Sequence, residues 1–488
     1  MSEAPPESSG VPGDEPSSED EAAEKKFMSG SRWALIGYGG EQLMRFVGNL
    51  ILWRLLYEEA FGIMALVNVV LQALEMFSDV GINASIIQSK RGGEPTFVNT
   101  AWTVQVLRGV LIFLIACGLA YPAAWFYDEP QLAIFIPIVG STSILYGLRS
   151  TKYWTEQKAV RLKAITLIDL AMQLIASITM IVWALIHPSV WALVSGSVVG
   201  GVLGLILSHA VLPGVRNRLC WDRAVAKELI TFGAWIFLST IFTFVALQSD
   251  RLVFGKLVSL KMLGVYSIAQ IYATLPPLLI GHLLKSVLFP VLSEEKNAGR
   301  PLGPAYRRVR VKVMVASSWM IACLIAGAPA LIDFLYDERA KEAAWIIQIL
   351  AMGGWFLVLE IINNTPILSL GYPRWLAISN LAKILAMAIA IPVGFSLFGF
   401  PGAVGGFAAA ELAKYITTLV ACEKYDLRAW PQDIAFTLGL ASSSAAGLLV
   451  SHYARSAEIH PFLEGFAIFL LLSGIWGATY RILQRRLS

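Results

Sequence analysis

The chain has 488 residues, 56% of them hydrophobic and 15% charged, with a mean hydropathy of +0.64. That balance excludes a soluble globular domain of ordinary size and places the chain in the polytopic membrane class. The net charge of +4 understates how basic the apolar portion is, because eight of the 34 acids fall in residues 1–26, against Lys25 and Lys26 alone.

In chain order, residues 1–30 read as a disordered acidic cytoplasmic tail, rich in Pro, Ser, Gly and carboxylates. The start is acidic and polar, unlike a secretory signal. A bilayer core about 30 Å thick asks for about 20 apolar residues per span. Fourteen stretches meet that length: 33–55, 61–87, 98–122, 131–152, 162–186, 190–212, 228–254, 262–291, 309–332, 342–369, 374–397, 402–422, 433–452 and 462–482. Lys and Arg concentrate in alternate connections, which predicts both termini in the cytoplasm, with Lys256 and Lys261 as the exceptions. Every loop is short.

The two halves echo each other. WRLLYEEAFGIMALVNVV around Gly62 aligns with GKLVSLKMLGVYSIAQIY around Gly264, an offset of 202, and YDE at Tyr127 recurs at Tyr336, an offset of 209. The fold expected is all-α: a six-helix bundle over 31–213, a second in pseudo-two-fold repeat over 214–425, and two further helices and a cytoplasmic tail over 426–488.

Polar residues inside the spans mark the candidate site. On the first, Gly37, Glu41, Arg45 and Gly48 share a face, with Tyr38, Gln42 and Asn49 beside them. Glu41 and Arg45 stand four apart, so they are either a self-neutralised pair or leave Arg45 as a cationic anchor for phosphate. On the second span Asn68, Gln72, Glu75, Asp79 and Asn83 stay within an arc of roughly 80°. Such a stripe is either a packed face or the wall of a wet path, and intramembrane carboxylates favour the path.

Arg108 lies in the third span, and Thr243 and Asp250 in the seventh. Arg251 and Arg54 end matching spans, where arginines commonly snorkel. The eighth span aligns Ser267, Gln270, Thr274, Gly281 and Lys285, and Pro276 with Pro277 predicts a hinge. Glu360, Asn363, Asn364, Lys383, Glu411 and Lys414 are further intramembrane polar groups, each open to a packing role. Four dispersed cysteines and five dispersed histidines predict neither disulfide nor metal.

The order WRLLYEEAFGIMAL, DVGINASIIQ, NTAWTVQVLRG (99–109) and YDEP (127–130) resembles the polysaccharide-transport family of the MOP flippase superfamily, the Wzx-type exporters. The resemblance implies a central cavity lined by helices one, two, seven and eight, and export by alternating access without ATP; no GxxxxGK[ST] loop is present. The implied cargo is a polyprenyl pyrophosphate-linked oligosaccharide, carried across a bacterial inner membrane for surface polysaccharide such as O-antigen, exopolysaccharide or capsule. No cofactor is expected; coupling to a Na+ or H+ gradient would act through Glu75, Asp79 or Asp250. Membrane lipids and other assembly proteins, a polymerase or chain-length regulator, are the expected partners, with no nucleic acid. The rivals are a MATE-like small-molecule antiporter, which favours a net acidic aromatic cavity; a glycosyltransferase or ligase, which the short loops disfavour; and a membrane scaffold.

Overall fold

A computed structural model of the chain describes residues 18–487 except 79–80, 90, 285–287, 289–291, 293, 297–298, 301 and 428–429. Among the described residues the structure is helical, with no strand. The helices are α1 (Ser18–Leu55), α2 (Glu58–Phe77), α3 (Ile82–Gln88), α4 (Pro95–Tyr127), α5 (Leu132–Gly140), α6 (Thr142–Leu148), α7 (Lys152–Lys158), α8 (Leu162–Ile186) and α9 (Val190–Ala210). After them come α10 (Arg223–Leu257), α11 (Leu260–Leu283), α12 (Leu302–Leu335), α13 (Ala343–Ser369), α14 (Arg374–Lys424), α15 (Trp430–Ser456) and α16 (Pro461–Leu487).

Several boundaries differ from expectation for local reasons. α1 begins at Ser18, inside the stretch expected to be a disordered tail, because residues 19–26 are almost all strong helix formers. The expected second span is two helices, α2 and α3, separated by Gly81 in the left-handed region (φ 63°). The expected fourth span is also broken, with a 59° bend between Leu132–Leu148 and Lys152–Lys158. Conversely α14 holds two expected spans, since Gly399 (φ 62°, ψ −145°) folds it back on itself. A Cβ on Gly394 would stand 2.1 Å from the Gly402 carbonyl oxygen, so the two arms touch backbone to backbone. α11 runs unbroken through Pro276 and Pro277.

Ten helices among the described residues are long and apolar enough to cross a membrane, eleven if the bent pair is one span. The figure falls short of fourteen partly because α14 is counted once. The polar face of α1 also dilutes its apolar length. Large apolar side chains such as Leu114, Ile186, Leu397 and Leu449 cover the perimeter, as a multi-pass membrane protein requires.

Inside, α1 packs on α8 through small residues: Gly37 meets Thr166, Gly40 meets Leu170 and Gly48 meets Ser177. In lipid, where apolar burial gives helices little reason to associate, such close approach supplies the packing energy. α4 packs on α5 and α6, and α8 on α9; farther along the chain, α11, α12 and α13 pack together, and α15 and α16 lie against α12. α2 and α11 join the two halves.

Candidate functional site

The polar stripe lies where α2, α4 and the broken α5–α7 segment enclose a cavity of about 710 Å³. Asn68, Gln72 and Glu75 on α2 and Asn83 on α3 line it, opposite Gln105 and Arg108 of α4 and Tyr146, Arg149 and Tyr153 of the broken segment. Asp79 falls outside the described residues, as does Lys285. The Arg108 guanidinium is engaged at the end of α2, donating to the Glu75 carbonyl (2.6 Å) and to Ser78 Oγ (3.0 Å).

The break after α6 frees backbone carbonyls that need donors. Gln105 Nε2 donates to the carbonyls of Tyr146, Gly147 and Arg149 at 3.0–3.1 Å, and Trp102 Nε1 to that of Leu148 at 3.2 Å. This pinned break sets Arg149 in the cavity wall. Arg149 lies 4.8 Å above the Tyr153 ring and 3.5 Å from Asp169 Oδ1, while the Tyr153 hydroxyl donates to Asp169 Oδ2 at 2.6 Å. The sequence places Arg149 near the end of the fourth expected span, 131–152, and gives Tyr153 and Asp169 no role. The available signal was an acid, Asp169, inside an otherwise apolar helix.

The α10 and α11 candidates form a different cluster, on the seam between the halves. Asp250 is 1% exposed and its Oδ2 accepts from the Tyr266 hydroxyl (2.6 Å) and from Gln270 Nε2. Gln72 reaches this seam, accepting from Gln248 Nε2 at 2.8 Å, and Arg251 donates to Gln248 Oε1 at 3.1 Å. Arg251 is thus tied to a neighbour one turn away on its own helix. Thr243 is half-buried on the same helix.

The α1 residues Glu41, Gln42, Arg45 and Asn49 do not line the 710 Å³ cavity. Arg45 is exposed and none of the ion pairs among the described residues joins it to Glu41, although Glu41 feels the charges of both Asp169 and Arg45. The cavity described here lies inside the first half, on α2, α4 and the broken α5–α7 segment, and not on the face that α1 shares with α11. Aromatic contacts close the seam, with Tyr38 on His282 at 4.9 Å, Phe46 on Tyr272 at 6.0 Å and Phe77 on Phe244 at 5.0 Å between ring centroids.

At the end carrying Tyr57 the two halves approach backbone to backbone. There a Cβ on Gly62 would sit 2.1 Å from the Leu260 carbonyl oxygen, and one on Gly264 would sit 2.2 Å from that of Glu58. The echoed sequences therefore meet each other reciprocally. Arg339 crosses the same end, donating to the carbonyls of Leu56 (2.8 Å) and Trp53 (2.7 Å) and to Asp337. Burial alone would raise the Asp337 carboxyl, but the Arg339 guanidinium and the Trp53 N–H hold it below the usual carboxylate range. Arg54 donates to the Leu335 carbonyl at 3.2 Å, and Lys256 and Lys261 each face a carboxylate, Asp128 and Glu58.

The remaining intramembrane charges neutralise one another: Lys383 pairs with Glu411, and Lys414 lies 3.3 Å from Glu360. Arg310, fully buried, binds Asp433 at the start of α15 and reaches Asn363 at 3.3 Å. Among the described residues no group of His, Cys, Asp and Glu is placed to hold a metal ion.

Residues 51–345 match the family model described as "Polysaccharide biosynthesis protein". The chain is 21% identical over 387 residues to the teichuronic acid biosynthesis protein TuaB of Bacillus subtilis (strain 168), covering 77% of this chain and 76% of that protein. It is 21% identical over 396 residues to the lipopolysaccharide biosynthesis protein WzxC of Escherichia coli (strain K12), covering 80% of each. Among solved structures it resembles the lipid II flippase MurJ in an inward closed conformation (TM-score 0.67, 13% identity, 92% of this chain and 99% of that one). It also resembles an inward-facing MATE family multidrug resistance transporter of the MOP superfamily (TM-score 0.59, 14% identity, 81% and 95%). The family match spans more than half the chain and the fold follows both structures over most of their length, so the chain belongs to the polysaccharide biosynthesis protein family and has the MOP-superfamily fold.

Proposed function

We propose that this protein is a flippase that carries polyprenyl pyrophosphate-linked oligosaccharide units across the bacterial inner membrane, both termini cytoplasmic, for surface polysaccharide assembly. The observation that carries this reading is the polar cavity of about 710 Å³ inside a bundle with an apolar perimeter. A sugar head with a charged linkage cannot cross hydrocarbon bare, whereas its prenyl tail need never leave the lipid. Asn68, Gln72, Asn83 and Gln105 supply donors and acceptors for hydroxyls, and arginines supply partners for phosphate.

Transport then requires the seam to open alternately at its two ends. The Tyr57 end would face outward, sealed by the reciprocal glycine contact and Arg339. Arg45, Asp250, Gln270 and Lys285 would meet the cargo once the seam parts, with Pro276 and Pro277 flexing α11. Asp250, Glu75 or Asp79 would couple the cycle to a Na+ or H+ gradient, and a polymerase would receive the exported unit. The reading is that of a transporter rather than an enzyme.

Depletion in cells with one such exporter tests it. Surface polymer should fall while the lipid-linked intermediate accumulates in the inner leaflet; unchanged polymer would contradict the reading.

A further inference from the structure

We infer that Arg149 is the anion-binding residue of the cavity, and that Asp169 is an internal counter-ion which a diphosphate group of the cargo displaces. The inference rests on the flippase reading and deepens it.

Arg108, the other arginine lining the cavity, is occupied with the Glu75 carbonyl and Ser78 Oγ. Arg149 is placed differently. Its backbone is fixed by Gln105, its guanidinium stacks on Tyr153, and its buried Nη2 makes no hydrogen bond, reaching Asp169 only at 3.5 Å. A guanidinium presents a planar fork of donors suited to two phosphate oxygens at once. Here Nη2 is buried on the Asp169 side, while the side chain as a whole lines the cavity between the Tyr146 and Tyr153 rings, at 6.0 and 4.8 Å.

Asp169 can give up the pairing cheaply. Its Oδ2 already accepts from the Tyr153 hydroxyl at 2.6 Å, so the carboxylate keeps a donor when phosphate takes Arg149. Asp169 also compensates the charge that Arg149 brings into the bundle. Glu41 stands near enough to feel Asp169, and Tyr146 near enough to feel Arg149 and Glu75, so an arriving diphosphate exchanges one carboxylate partner within an already mixed field.

The test is binding to purified full-length protein in detergent, with farnesyl diphosphate, farnesol and inorganic pyrophosphate as probes. Wild type should bind farnesyl diphosphate and not farnesol. Arg149→Gln should weaken binding about tenfold or more, with Arg149→Lys between the two. Asp169→Asn, which removes the competing carboxylate, should tighten it by up to about fivefold. Inorganic pyrophosphate binding as well as farnesyl diphosphate would support the site and assign recognition to the anion alone; weaker binding would support it and add the prenyl chain. Arg149→Gln binding within twofold of wild type, at an unchanged melting profile, would overturn the inference, as would Asp169→Asn weakening binding as much as Arg149→Gln. In cells, polymer lost on depletion but normal with Arg149→Gln would sink this inference and leave the flippase reading standing. Polymer unchanged on depletion would sink that reading instead.

Discussion

Arg310 shows what a buried charge does here when it is not part of the cavity. It is held by Asp433, Asn363 and Gln432 and so ties α12 to the start of α15. At the other end of α12, Asp333 binds Arg455 at 2.7 Å, so α15 is latched twice. Removing one partner of such a buried pair leaves the other unpaired and costs about 3–5 kcal/mol, whereas removing both with apolar replacements costs much less. Arg310→Ala should therefore lower the melting temperature in detergent well below that of Arg310→Met/Asp433→Leu; equal losses would show that the pair does not hold these helices together. The sequence marked Lys383, Glu411, Lys414 and Glu360 as intramembrane charges, since each interrupts an apolar run. It could not show who pairs with whom, because Glu360 and Lys414 lie on different helices and meet only through tertiary packing.

At the scale of elements, regular periodicity was readable and its interruptions were not. The stripe Asn68, Gln72 and Glu75 follows the turn of α2 and lines the cavity as a helical face should. Arg149 was missed because its position depends on a break in the fourth expected span, stabilised by side chains of α4 that are far away in sequence. The glycine echo was readable as a repeat, yet the mutual contact of its two copies is a property of the folded seam. With no room for a Cβ at Gly62 or Gly264, Gly264→Leu must push α2 and α11 apart at the Tyr57 end. Overpacking of this kind costs about 1–3 kcal/mol, enough to shift a two-state equilibrium by roughly 5- to 150-fold. Spin labels at Glu59 and Lys261 should report a longer distance in Gly264→Leu, and the same in Gly62→Leu. An unchanged distance distribution in both would mean that the glycine contact does not set closure.

For the whole molecule, composition alone announces a membrane bundle, and the order of short motifs announces the family. Neither reveals the polar cavity within the first half, nor the aromatic and glycine contacts that join α1 and α2 to α10 and α11 across the seam. A closed seam beside a preformed cavity suits a carrier that must release one end before opening the other. The most direct measurement is leaflet transfer: purified protein in liposomes carrying a polyprenyl pyrophosphate-linked oligosaccharide, read by a membrane-impermeant glycosidase. Wild type should make the enzyme-protected inner-leaflet pool accessible, and Gly264→Leu, unable to close the Tyr57 end, should do so far more slowly. A protected pool that persists with wild type as it does in protein-free liposomes would contradict the flippase reading.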